Sequence, residues 1–150
     1  MEIRKAKRKD IESLIENRIE FLSLIRDMDN EDELRVALKD YLEKHIEDDT
    51  LVIYIGLINN KIVASAILTI YERIPTAACI SGKMATLLNV YTVKEYRRKG
   101  FAKEIVRNIL KDAKEIGVVK VQLEYTDDGY ELYRDLGFSP LNREMAIILE

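Results

Sequence analysis

Two runs rich in β-branched residues, 50–58 and 61–70, meet at Asn59-Asn60, and that junction restricts the fold more than any other feature of the chain. Asparagine tolerates the positive φ of a tight turn, so the two runs read as strands of one hairpin. Ahead of the hairpin, Ile11, Leu14, Ile15, Leu22 and Ile25 recur at helical spacing over 10–26. Leu34, Leu38, Tyr41 and Leu42 do the same over 31–47, with Asp29 or Asn30 as the cap. Beyond the hairpin, 75–82 reads as a loop and 83–93 as a strand. A helix over about 100–116 follows, with Ile105, Val106, Ile109, Leu110, Ala113 and Ile116 as its inner stripe and Gly117 as its stop. A strand at 120–125, a short helix at 128–136 closed by Gly137 and a final strand at 144–149 complete the chain. With a short first strand at 3–6, the order is β-α-α-β-β-β-α-β-α-β, a mixed α/β domain.

Composition narrows the function. The 150 residues match the length of one domain, and no repeat, low-complexity tract or linker divides them. A hydrophobic fraction of 47% argues against disorder. The balance of 24 basic and 27 acidic residues, net −3, speaks against a general polyanion binder, so no nucleic-acid partner is expected. One cysteine (Cys79) and one histidine (His45) leave no internal disulfide and no Cys- or His-based metal site, and no metal is expected. Charges begin at Glu2 and Arg4, without the apolar core of a signal peptide, and uncharged stretches such as 62–71 are too short to span a bilayer. The expectation is a cytoplasmic protein with no membrane partner.

The chemistry concentrates in 89–103, Asn-Val-Tyr-Thr-Val-Lys-Glu-Tyr-Arg-Arg-Lys-Gly-Phe-Ala-Lys. A strand ends near Val93, a basic turn follows, and a helix starts near Gly100. Glycine at a helix start permits close approach of a ligand to the backbone. The free N–H groups of the first turn and the helix dipole favour an anion, phosphate above all. Arg97, Arg98, Lys99 and Lys103 add charge at the same place, although a solvated helix start would carry the same residues. The Gly-x-x-x-x-Gly-Lys-Ser/Thr and Gly-x-Gly-x-x-Gly phosphate loops are both absent.

What is present, Arg97-x-x-Gly100-x-Ala102, resembles the Gln/Arg-x-x-Gly-x-Gly/Ala pattern of the GNAT acyltransferases. Downstream, Leu132-Tyr133 and Leu136-Gly137-Phe138 stand at the spacing of that family's closing motif, Leu-Tyr-x-x-Leu-Gly-Phe. The resemblance implies the GNAT fold: a mixed α+β domain over 1–150 with a central, mostly antiparallel sheet of six to seven strands flanked by helices. It implies acetyl-CoA as cosubstrate, held where strand 83–93 splays from strand 120–125. Tyr91, Thr92 and Val93 would contact the pantetheine arm through the main chain. Arg98, Lys99, Gly100, Phe101, Ala102 and Lys103 would cradle the pyrophosphate. Thr126 stands where the family often has an asparagine that binds the pantetheine. Gly129 matches a small residue that keeps the helix close to the cofactor, while Asp127 or Asp128 reads as the helix cap.

By the same resemblance Tyr133 is the general acid. A phenol with a pKa of about 10 can protonate a departing thiolate. The competing reading is a half-buried core tyrosine. For the base, the strand 83–93 holds no carboxylate, which leaves Glu72 and Glu124, either of which could be an ordinary surface charge. Water relayed through Tyr91, or an amine arriving neutral, would serve as well. His45 reads as a surface histidine at a helix end, and Cys79 as a free thiol rather than a nucleophile. The expected function is acetyl transfer from acetyl-CoA to a primary amine by direct attack in a ternary complex. Segments 31–47 and 71–82 would shape the acceptor pocket; Asp29, Glu31, Asp32, Glu33 and Glu72 suit a small cationic amine, with a protein amine as the rival. A non-catalytic acyl-CoA sensor is the alternative function, and a homodimer is a further possibility raised by the family.

Overall fold

The computed structural model describes residues 2–141 and 143–150. A five-stranded sheet in the order β1-β2-β3-β4-β5 forms its centre. The strands are β1 (Glu2–Lys5), β2 (Leu51–Ile58), β3 (Lys61–Glu72), β4 (Lys83–Thr92) and β5 (Lys120–Gln122). The helices are α1 (Ile11–Ile25), α2 (Glu31–His45), α3 (Phe101–Ile116) and the short α4 (Tyr130–Asp135). The first three strand pairs are antiparallel and β4–β5 is parallel. The hairpin turns at Asn59 (φ 51°) and Asn60 (φ 62°), both left-handed, as a two-residue turn between twisted strands requires.

Helices on both faces explain why β2 and β3 read as nearly continuous apolar runs rather than as alternating ones. On one face α3 packs Phe101, Ile105, Val106, Ile109 and Ala113 against Val52, Ala64, Ala66, Leu68, Ala85 and Leu87. On the other, α1 packs Ile11, Leu14, Ile15 and Ile19 against Leu51, Ile53, Ile55, Leu57 and Ile67. The α2 helix buries only Leu42. Gly117 (φ 100°) ends α3 in the left-handed conformation that glycine adopts without penalty.

Several sequence expectations are corrected. Among the described residues the sheet has five strands, not six or seven, because residues 144–149 form no strand. β5 presents an edge of only three residues, too short to hold a further strand, and Gln122 there donates to the Glu144 carboxylate (3.0 Å) through its side chain. Met145 is left 99% and Leu149 90% exposed. β5 stops at Gln122 rather than running to 125. Asn30 occupies the N-cap position of α2 as expected, its carbonyl accepting from the Leu34 amide (3.0 Å), although its side chain makes no capping bond; before α4 the cap position is taken by Gly129, not by Asp127 or Asp128.

Candidate functional site

The site begins where β4 leaves β5. Their pairing runs Met84↔Lys120, Ala85↔Val121 and Thr86↔Gln122 and then ends, whereas β4 continues to Thr92. Beyond Thr86 the two chains diverge and a groove opens. A bulge contributes to the divergence: Ser65 faces Tyr91 and Ile67 faces Leu88, so two steps along β3 match three along β4. Asn89 takes up the extra residue at φ 55°. A bulge bends and twists the strand that carries it.

The groove has a volume of about 590 Å³ and is lined by Val90, Tyr91 and Thr92 from β4, by Arg98, Gly100, Ala102 and Lys103 at the start of α3, and by Thr126, Gly129 and Tyr133 opposite. It therefore brings together most of the residues singled out from sequence. Val93 and Lys99 fall outside the lining. The Val93 amide donates to the Val63 carbonyl (2.8 Å), and the Lys99 ammonium lies over the Tyr96 ring at 5.5 Å. Arg97 donates from Nε to the Thr92 carbonyl (2.9 Å), which fastens the basic turn to the end of β4.

The turn itself is a concave row of donors. Arg98 (φ 64°) and Gly100 (φ 83°) are both left-handed, and a backbone that passes through such residues points successive N–H groups inward as an anion nest. The first bond of α3 runs from the Glu104 amide to the Gly100 carbonyl (3.1 Å). Among the described residues no acceptor takes the amides of 98–103, and the N-terminus of α3 has no side-chain cap. A Cβ added to Gly100 would meet nothing within 4 Å, so the space above the turn is open. Uncompensated donors, a helix dipole, the exposed Arg98 and the half-buried Lys103, whose ammonium lies 3.8 Å from Asp135, make this a fitting cradle for a diphosphate.

Tyr133 lies across the groove on α4. Its ring packs edge-on against Phe138 with centroids 5.9 Å apart. Burial pushes its phenol above the usual value. Among the described residues its hydroxyl has no hydrogen-bond partner, so it can donate to a ligand. Gly129 makes room for it, since a Cβ there would come within 3.0 Å of the Tyr133 ring. Glu72 and Glu124 are both exposed and neither lines the groove. His45 ends α2, with Nδ1 2.8 Å from Asp48, and Cys79 is a buried free thiol.

Phe21 was not anticipated. It reaches from α1 to the groove and packs on Tyr91, ring centroids 5.3 Å apart. Its periodicity signal was indistinguishable from that of any other core residue of α1. A buried polar chain beside it was equally hidden. Arg18 Nη1 donates to Asn89 Oδ1 (3.1 Å), Asn89 Nδ2 to Ser65 Oγ (3.0 Å), and Ser65 Oγ to Asn17 Oδ1 (2.5 Å). Among the described residues no helix is long and apolar enough to cross a membrane, and no cluster of potential metal ligands occurs.

The sequence profile described as the acetyltransferase (GNAT) family matches residues 16–138. No curated protein gives a match. Among solved structures, a predicted acetyltransferase with acetyl-CoA from Clostridium acetobutylicum is 26% identical, with a TM-score of 0.87 over 98% of this chain and 95% of that one. A GCN5-related N-acetyltransferase from Ralstonia eutropha is 21% identical, with a TM-score of 0.83 over 98% and 97%. Glucosamine-6-phosphate N-acetyltransferase from Arabidopsis thaliana is 20% identical, with a TM-score of 0.74 over 99% and 98%, a likeness of fold.

Proposed function

The chain belongs to the acetyltransferase (GNAT) family, and from that premise we propose that it transfers the acetyl group of acetyl-CoA to a primary amine, by direct attack in a ternary complex. The observation that carries this reading is the row of amides at 98–103, without acceptors among the described residues, at the mouth of the β4–β5 gap. The residues fit the cosubstrate. The nest and the dipole of α3 receive the diphosphate, Arg98 and Lys103 balance its charge, and the edge of β4 from Val90 to Thr92 and the Thr126 hydroxyl line the path of the pantetheine arm. Bound there, acetyl-CoA supplies the acetyl group as an activated thioester.

The chain's own residues do the rest. Phe21, Tyr91 and Leu132 give the groove apolar walls that exclude water. Tyr133 holds a proton at its hydroxyl for the departing sulfur, and its burial keeps that proton in place at neutral and moderately alkaline pH. With Glu72 and Glu124 outside the groove, the reading assigns the amine's proton to solvent before attack and gives no carboxylate the role of base.

Gly100→Glu tests the cradle. A carboxylate placed above the nest fills the space a phosphate would take and repels it. Calorimetry should show CoA affinity falling at least tenfold, with the fold intact by circular dichroism. Unchanged affinity would reject the cradle. The alternative, a non-catalytic acyl-CoA sensor, predicts CoA binding without CoA release against any member of an amine panel.

A further inference from the structure

Beneath α2 lies a second cavity, about 470 Å³, walled by Leu14, Leu38, Leu42, Ile53, Ile67 and Leu88. It exists because α2 rests loosely over the sheet, burying only Leu42. One cation enters this apolar space. Arg18 lines it, half-buried, and spends one nitrogen on Asn89. Among the described residues no carboxylate lies within ion-pairing distance of its guanidinium, and burial alone acts on it, lowering its proton affinity. The acidic side chains of Asp29, Asp32 and Glu33 are exposed and do not line the cavity, and Glu31 is engaged by Arg35 (3.0 Å). A guanidinium held against apolar surface without a counter-ion is costly, and a ligand carboxylate, matched to its fork of donors, removes that cost.

The cavity adjoins the groove. Arg18 and Phe21 stand three residues apart on α1, about 4.5 Å along its axis, and Phe21 already walls the groove. On β4, Leu88 faces the cavity, Asn89 forms the bulge, and Val90 and Tyr91 face the groove.

We propose that the acceptor is an α-amino acid with an apolar side chain, its carboxylate on Arg18, its side chain under α2, and its amino group directed past the Asn89 bulge toward the groove at Tyr91. This rests on the acetyltransferase reading and names its substrate class. One cation matches one carboxylate. A phosphate dianion would need more charge than the cavity offers, since its other polar lining groups are the hydroxyls of Tyr41, Thr69 and Tyr71.

Paired ligands test it in the wild-type chain: leucine against isopentylamine, and phenylalanine against phenethylamine, each pair differing by the carboxylate alone. Calorimetry with CoA present and kcat/KM should both favour the amino acid at least tenfold. Arg18→Gln should shrink that preference to within about twofold while CoA affinity stays unchanged, and Arg18→Lys should restore part of it. Leu38→Trp, which fills the cavity, should move the preference from phenylalanine toward alanine. Equal or better use of the decarboxylated amines by the wild type overturns the proposal, as does an undiminished preference in Arg18→Gln. Those results leave CoA binding untouched. Failure to bind CoA, with leucine still bound through Arg18, would instead overturn the acetyl-transfer reading and leave Arg18 as an amino-acid binding site alone.

Discussion

As the proposed general acid, Tyr133 would have to keep its proton until the sulfur departs, and its surroundings favour that state. Desolvation disfavours phenolate, so the alkaline limit set by this group lies above the usual tyrosine value of about 10. With no assigned carboxylate base, activity should rise with pH as the amine loses its proton, then fall only where Tyr133 ionises. Tyr133→Phe should lower kcat by about 10²–10⁴-fold, the usual worth of a general acid, with CoA affinity unchanged. A pH–rate profile identical to that of the wild type would remove the acid role. Asp10 shows the opposite titration. Arg4 donates to both its oxygens (2.8 and 3.0 Å) and the Lys7 amide donates as well (2.7 Å), which holds its carboxyl below the ordinary range. A folded-state pKa below the unfolded value contributes stability above about pH 3.9, and that contribution is lost as pH falls through the folded value. Asp10→Ala should cost about 1.5–3 kcal/mol at pH 7 in urea titration, and the difference from wild type should shrink toward pH 2.

At the scale of elements, the site depends on how α3 seats on the sheet. Phe101, the first residue of α3, fits against Gly56 on β2, where an added Cβ would stand only 2.7 Å from its ring. Gly56→Ala therefore pushes on the residue that anchors the nest. It should cost about 1–3 kcal/mol of stability, the usual penalty of overpacking, and weaken CoA binding as well. Loss of stability with unchanged CoA affinity would show that the nest is positioned independently of this contact. The hairpin, α1, α2, α3 and the β4 turn were legible in the sequence because each is written in local terms: periodicity, an Asn-Asn turn and terminal glycines. The bulge at Asn89 was not, since nothing local distinguishes an asparagine that adopts φ 55° in a strand from one that ends it. Nor was the end of β5, which is set by divergence from β4 rather than by the apolar run that continues to Leu123.

For the whole molecule, net charge and local charge point in different directions. The chain carries −3 overall, yet its groove mouth gathers the exposed Arg97, Arg98 and Lys99 and the half-buried Lys103. Exposed charges are screened within about 8–10 Å at physiological ionic strength, so the cluster acts locally. CoA affinity should fall several-fold between 50 and 500 mM salt by calorimetry, and a salt-independent affinity would shift the weight to the uncharged amides. The two-sided packing of the sheet also separates two regions: the proposed diphosphate cradle lies at α3 and the β4–β5 gap, while α1 and the loosely seated α2 enclose the second cavity. That cavity had no sequence signature, because its walls are ordinary core residues left slightly apart.

From sequence alone came the mixed fold class, the order of the elements up to α4 and the basic turn at the start of α3, because local spacing and backbone preference encode them; Tyr133 was marked by its place in a family motif. Only tertiary structure decided which charges face the site. Arg18 is one of many arginines until three strands and two helices surround it with no counter-ion among the described residues, and Glu72 and Glu124 are plausible bases until the fold leaves them in solvent. Burial and distance between remote segments arise from packing, and packing is not written at any single position.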